Sequence, residues 1–318
     1  MTAPSPNTAA SVRQRLLNLA READEEYQLV LGRYVRERFL YRLAQSEHEG
    51  RFVLKGATLF VVWTGDPHRV TRDLDLLGYG DSDEAALLDL ICDVCATPVP
   101  DDGVAFDAAG ASAARIRGGQ EYEGVRIRLT AHLGSAVVPL QVDVGFGDAV
   151  TPRPEYVTLP SLLDFDSPRV RAYPRETAIA EKLQAMVALG IANSRMKDYY
   201  DVWFLARTFT FNGETLARAF ERTFERRQMH VPTDLPTALS PGFSQDGAKN
   251  RQWRAFLAKG RLNAPTLEPV VEHLVAFAYP PLQAVGNGEP FSMIWRPGGP
   301  WAHKRADVSS DPTGDKSK

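Results

Sequence analysis

The chain has 318 residues, enough for one large domain or two modest ones with a substantial buried core. Its 44% hydrophobic and 24% charged residues are ordinary globular values, and no apolar run approaches the roughly 20 residues a bilayer span needs. A formal net charge of −3 excludes a uniformly basic nucleic-acid binder but leaves room for a local basic groove. The N-terminal MTAPSPNTAASVRQR carries no apolar signal core, so a cytoplasmic chain is expected.

Residues 1–10 are rich in Pro, Ser and Ala, and fraying is expected there. Over residues 11–43 apolar side chains such as Leu16, Ala20, Val30, Tyr34, Phe39 and Leu40 fall at helical spacing, predicting two helices or one broken helix. Phe52, Val53 and Leu54 form a short strand, and Lys55-Gly56-Ala57-Thr58 turns the chain into a helix that reaches Trp63. Thr64-Gly65-Asp66-Pro67 ends that helix. Residues 73–77 alternate polar and apolar as a half-buried strand does, until Gly78 and Gly80 close it. A helix is predicted over 83–96, and strands over 113–117, 125–131 and 138–144. Gly118-Gly119-Gln120-Glu121 suits a hairpin between the first two of these strands. Cys92 and Cys95 make a lone C-x-x-C on the apolar face of the 83–96 helix, and packing is its expected role. Beyond Pro160 the pattern turns helical, over 176–189, 197–207, 213–227, 250–259 and 267–278. Together these predict an α+β fold. A mixed-sheet core with N-terminal helices covers residues 1–165, a helical domain 166–284, and a loose Gly/Pro/Ser/Asp-rich tail 285–318.

The chemistry-bearing residues cluster on the strands. Asp73 and Asp75, two apart, project from one face, while Leu74 and Leu76 occupy the other. Phosphoryl and nucleotidyl transfer needs charge neutralised on phosphates, and paired carboxylates holding a divalent cation are the common answer. A third carboxylate is available in Gln141-Val142-Asp143-Val144. An uncompensated carboxylate at mid-strand is costly. Asp143 is therefore either a metal ligand or the partner of an arginine, with Arg126 and Arg128 on the preceding strand as candidates. In Lys55-Gly56-Ala57-Thr58 the glycine lets backbone approach a phosphate, and the helix start offers free N–H groups. Arg69 and Arg72 could hold a triphosphate and Thr71 could supply a hydroxyl; solvated surface residues are the alternative. Downstream, Lys182 lies on a helix that buries Ile179, Leu183 and Met186, and Asp198 and Asp201 share one helix face. Arg218, Arg222, Arg226 and Arg227 could contact a phosphate backbone, but Glu221 and Glu225 interrupt them and fit a solvated amphipathic helix equally well.

In order along the chain, these elements resemble the AbiEii/AbiGii-type nucleotidyltransferase toxins, whose core has the DNA polymerase β-like fold. The K-G-[GA]-T turn is Lys55–Thr58, and the R-x-[ST]-x-D-L-D strand runs from Arg69 to Asp75. The D-V-x-F-G-[DE] segment runs from Asp143 to Asp148; E-K is Glu181-Lys182, and R-x-K-D-x-x-D runs from Arg195 to Asp201. Ala57 stands where a second glycine is commoner, and the loop leading to the D-x-D is slightly long. The resemblance implies transfer of a nucleoside monophosphate from an NTP to an RNA acceptor, expected to be tRNA, with Mg²⁺ or Mn²⁺. It assigns the metal and triphosphate to Asp73 and Asp75, with Asp143 as the further metal ligand. It assigns nucleotide contacts to Lys55, Gly56, Ala57, Thr58, Arg69, Thr71 and Lys182, and completion of the catalytic set to Lys182 and Asp198. A winged-helix antitoxin encoded nearby is the implied protein partner. A protein hydroxyl as acceptor, or a binding module that keeps the fold without catalysis, are the competing expectations.

Overall fold

The computed structural model describes residues 6–117 and 123–303, so the hairpin expected at 118–121 lies outside the described residues. The chain forms two compact units, Met1–Ala178 with Leu257–Asn263, and Ile179–Phe256 with Ala264–Lys318. Among the described residues no helix is long and apolar enough to cross a membrane.

In the first unit, residues 11–43 take the two-helix alternative, as α1 (Pro6–Glu22) and α2 (Tyr27–Gln45). The elements β1 (Phe52–Lys55), α3 (Leu59–Thr64), β2 (Asp73–Gly78) and α4 (Glu84–Ala96) follow. Asp83 caps α4 by accepting from the N–H groups of Ala85 and Ala86 at 3.0 and 2.9 Å. Then come β3 (Val104–Arg117), β4 (Glu123–Leu133), β5 (Ala136–Phe146), β6 (Glu155–Thr158) and β7 (Arg169–Ala172). These strands form one mixed sheet in the order β3-β4-β5-β2-β1-β7-β6. Strand β2 runs parallel to β5 and antiparallel to β1, and β4 runs antiparallel to β5.

The alternation read from the sequence explains why β2 and β5 sit at the centre. Leu74, Leu76, Val142, Val144 and Ile127 join Val30, Leu31, Tyr34 and Phe39 of α2 in one buried cluster. Each such side chain contributes about 1.5–3 kcal/mol on burial. Helix α2 is buried although it carries charge, and several of its charged groups are paired. Arg42 donates to both carboxylate oxygens of Asp102, at 2.7 and 3.1 Å. Glu37 accepts from Ser161 Oγ and from the Leu162 N–H at 2.8 and 2.9 Å. The thiol of Cys95, packed inside, is pushed up to about 12 by burial, in keeping with a packing role for the C-x-x-C.

Three features of this unit differ from expectation. Strand β3 begins at Val104 rather than 113, and its pairing with β4 shifts between Asp107 and Ser112. That irregularity breaks the period-two pattern by which the sequence would announce the strand. Strands β6 and β7 were not expected at all. Because β7 pairs with β1, the first unit runs past residue 165 to Ala178.

Helix α5 (Arg175–Leu189) carries the chain into the second unit, which holds α6 (Met196–Thr208), β8 (Phe211–Asn212), α7 (Gly213–Arg226), α8 (Pro241–Ser244), α9 (Gly247–Gly260) and α10 (Leu267–Asn287). Two further strands follow, β9 (Met293–Trp295) and β10 (Trp301–His303), giving a small sheet in the order β10-β9-β8. Where a loose tail was expected from residue 285, the described residues thus carry two strands. The composition of that segment concealed two anchors. Trp295 is buried and donates through Nε1 to the Ala206 carbonyl at 2.6 Å. Trp301 donates to the Phe277 carbonyl at 2.8 Å and stacks on that ring, with centroids 5.9 Å apart. Helix α10 also continues through Pro280 and Pro281, past the end expected at 278, with Pro281, Leu282 and Ala284 buried along it. Tertiary packing here outweighs the hydrogen bond each proline removes.

Candidate active site

The pairing of four neighbouring strands sets one row of charges across the sheet. Lys55 on β1 lies opposite Asp75 on β2, Asp75 opposite Asp143 on β5, and Asp143 opposite Arg126 on β4. Paired residues in a pleated sheet point to the same face, so the row reads cation, anion, anion, cation at a spacing of about 4.8 Å per strand. Asp73 lies two residues along β2 on that same face, opposite Gln141. The three aspartates are half-buried, whereas Leu74, Leu76, Val142 and Val144 are closed off on the other side. Asp73, Asp75 and Asp143 are therefore brought together as the sequence suggests.

Asp143 is not open, however. Both its oxygens are taken by Arg126, whose Nε donates to Oδ1 at 2.8 Å and whose Nη2 donates to Oδ2 at 2.6 Å. The Asp143 hydrogen bonds hold the Arg126 guanidinium above its ordinary pKa against the opposing effect of burial, and Asp143, Asp73 and Asp75 all add to the rise electrostatically. Of the two readings of Asp143, the arginine partner is the one present. Register decides between the two arginines, since Arg128 lies opposite Gln141.

The turn after β1 is shaped around Asp75. Gly56 has φ 74°, and a Cβ placed there would lie 2.7 Å from Asp75 Cγ and 2.8 Å from Asp75 Cβ. Glycine thus serves a left-handed conformation and a close approach at once. Ala57 is buried, and Thr58 Oγ1 is buried without a hydrogen-bond partner among the described residues. The helix start expected here is modest: residues Gly56–Thr58 form a 3-10 turn, and α3 has only 6 residues. The Lys55 ammonium meets Asp148 Oδ2 at 2.6 Å, and the Tyr173 hydroxyl donates to the same oxygen at 2.9 Å. Thr71 Oγ1 donates to the Asp73 carbonyl at 3.2 Å, a local turn contact. Arg69 is half-buried nearby in sequence.

Some residues of this face escaped the sequence reading. Asp148 was noted only as a motif position, although it anchors Lys55. Arg36 is buried on α2 and donates to the Arg72 carbonyl at 3.3 Å. Its guanidinium is pushed down to about 10 by burial and by Arg33, with Asp73 opposing. No pattern flags an arginine that occupies a buried helical position.

In the second unit, Lys182 is held rather than solvated. Its Nζ lies 3.2 Å from Asp198 Oδ1 and 2.8 Å from Asp201 Oδ2, and both aspartates are fully buried. Arg195 Nε approaches Asp198 Oδ2 at 2.6 Å, a close ion pair. Asp201 is the nearer of the two to Lys182. Arg218 and Arg222 are exposed and paired with Glu214 and Glu225, each at 3.0 Å, as a solvated amphipathic helix would have them.

Among the described residues, no group of three His, Cys, Asp or Glu side chains is arranged to hold a metal ion. The three aspartates share one face, and there Arg126 engages Asp143. Asp73 and Asp75 still fit Mg²⁺. That ion commonly takes one or two carboxylates and completes its octahedron with water and substrate phosphate oxygens. Beside the two aspartates, the Gly56 backbone approaches Asp75 closely and the Thr58 hydroxyl is without a hydrogen-bond partner among the described residues.

No curated protein matches the sequence. Among solved structures, the chain is similar to MenT4, a nucleotidyltransferase toxin of Mycobacterium tuberculosis, at 18% identity and TM-score 0.46, over 87% of this chain and 98% of that one. It is also similar to JHP933 of Helicobacter pylori, at 15% identity and TM-score 0.44, over 83% and 91% of the two chains. A model of the family described as nucleotidyl transferase AbiEii toxin, type IV toxin–antitoxin system, matches residues 38–281. That match spans well over half of the chain and takes in all the aspartates described above, so the chain belongs to the AbiEii nucleotidyl transferase toxin family.

Proposed function

We propose that this nucleotidyl transferase moves a nucleoside monophosphate from an NTP onto an RNA acceptor, tRNA, with Mg²⁺ or Mn²⁺ held by Asp73 and Asp75. The observation that carries the reading is the pair of same-face carboxylates on a buried strand, pressed against Gly56 of a tight turn. When bound, the cation neutralises phosphate charge and orients the triphosphate. The turn Lys55-Gly56-Ala57-Thr58 and Arg69 take the phosphates by backbone N–H, hydroxyl and guanidinium contacts. Lys182, fixed by Asp198 and Asp201 within the second unit, is the ammonium that the family resemblance assigns to the nucleotide. An acceptor hydroxyl attacks the α-phosphorus in line, the new P–O bond forms, and pyrophosphate leaves. Asp143 accepts the hydroxyl proton once it is free to do so. The RNA acceptor rests on the family resemblance, as do a winged-helix antitoxin as partner and a cytoplasmic site of action.

The test is incubation of the purified chain with Mg²⁺ or Mn²⁺, each α-labelled NTP, and either RNA or a protein extract. Label on RNA is expected, and on the acceptor end of tRNA in particular. Label on protein alone would replace the acceptor, and label on neither would overturn the transfer reading.

A further inference from the structure

The Arg126–Asp143 pair is unusual in its placement. Three carboxylates on one face of adjoining strands repel one another, and cross-strand like charges are destabilising. Without a counter-charge the sheet would carry that repulsion through folding. Arg126 supplies the counter-charge in the geometry that binds a carboxylate best, with two parallel N–H donors on two oxygens. A purely structural pair could be sealed. This one lies at the lip of the site, with the Arg126 side chain 32% exposed and Asp143 15% exposed. The guanidinium stands on the face opposite the sealed Leu74, Leu76, Val142 and Val144, so its departure from Asp143 does not open that packing. Its neighbours across the sheet are the two carboxylates assigned to the cation.

We propose that Arg126 is the internal stand-in for the metal at Asp143, a resident cation that must yield before Asp143 can serve the bound ion or take the acceptor proton. This rests on the metal reading given under Proposed function. In the exchange the guanidinium's single positive charge leaves Asp143 as the two of the divalent ion arrive at Asp73 and Asp75, beside it on the same face. A consequence is weak metal binding in the absence of nucleotide, because the ion competes with a tethered arginine that is always present.

The experiment is Mn²⁺ binding without nucleotide, followed by electron paramagnetic resonance and calorimetry, on the full chain. Arg126→Gln is expected to bind Mn²⁺ about tenfold more tightly than wild type, the scale of a well-aligned but partly exposed pair. Its melting temperature should be lower without metal and rise further than wild type's when Mn²⁺ is added. Arg126→Lys keeps the charge but loses the two-pronged bond, so its affinity should fall between. Mn²⁺ affinity in Arg126→Gln equal to or weaker than wild type overturns the proposal. If that variant does not fold, Arg126→Lys decides by the same criterion. Asp73→Ala with Asp75→Ala separates the two claims. Retained binding in that double variant removes the metal reading itself, whereas lost binding beside an unresponsive Arg126 variant removes only the stand-in.

Discussion

Replacing Gly56 by alanine tests how the site is built, because two separate costs meet at one atom. The residue holds φ 74°, and an added Cβ would lie 2.7 Å from Asp75 Cγ and 2.8 Å from Asp75 Cβ. The left-handed backbone costs an alanine roughly 1–2 kcal/mol, and overpacking adds about 1–3 kcal/mol if nothing moves. The expected loss is thus about 2–5 kcal/mol, less if Asp75 swings aside, and swinging aside displaces the carboxylate that the chemistry needs. Gly56→Ala is therefore expected to melt early and to lose Mn²⁺ binding and transfer beyond its loss of folded fraction. The double variant Gly56→Ala/Asp75→Ala separates the terms. Shortening Asp75 removes the clash with Cγ but leaves that with Cβ, so denaturant unfolding should show the pair more stable than Gly56→Ala alone. A Gly56→Ala protein with wild-type stability and turnover would refute the reasoning, as would a double variant no more stable than the single.

Further outcomes follow from other contacts. Asp143→Asn leaves Arg126 a neutral partner, and because the pair is partly exposed the melting cost should be no more than about 1 kcal/mol. Transfer should nevertheless fall on the order of 10² or more, as loss of a general base does; a stable variant with normal turnover would remove Asp143 from the chemistry. Lys182→Ala leaves Asp198 and Asp201 buried with one fewer cation, so denaturant unfolding should show a loss of about 3–5 kcal/mol. Its weakened NTP affinity must therefore be read per folded molecule, and unchanged stability would show that the cluster is solvated in solution. Truncation after Gly286, which deletes β9 and β10, should destabilise the second unit through loss of Trp295 by about 3–5 kcal/mol. An unchanged melting curve would mean that those strands do not dock.

Much of the site could be read from the chain because alternation is a strong signal where one strand face is sealed. Leu74 and Leu76 announce β2, and that assignment alone sets Asp73 beside Asp75. What alternation cannot supply is register. A shift of two residues would give Asp143 to Arg128 instead of Arg126, and only the assembled sheet decides. Asp148 was invisible as the partner of Lys55 because the two lie 93 residues apart. Arg36 was invisible because helix periodicity marks apolar positions, and an arginine at one of them looks like noise. The tail was misjudged for a related reason. Averaging over Gly, Pro, Ser and Asp hides two tryptophans, Trp295 buried and Trp301 half-buried.

The sheet's connectivity also bears on when the molecule becomes dangerous. Arg126 and Asp143 are 17 residues apart on adjacent antiparallel strands, a contact the chain can close early. Lys55 finds Asp148 only across 93 residues, and β2 must join β5 by parallel pairing, which is intrinsically slow. Pulsed hydrogen exchange during refolding should therefore protect β4 and β5 before β1 and β2; the reverse order would contradict this. A chain emerging from the ribosome would then carry Asp143 already neutralised while Asp73 and Asp75 still wait for their strand to dock.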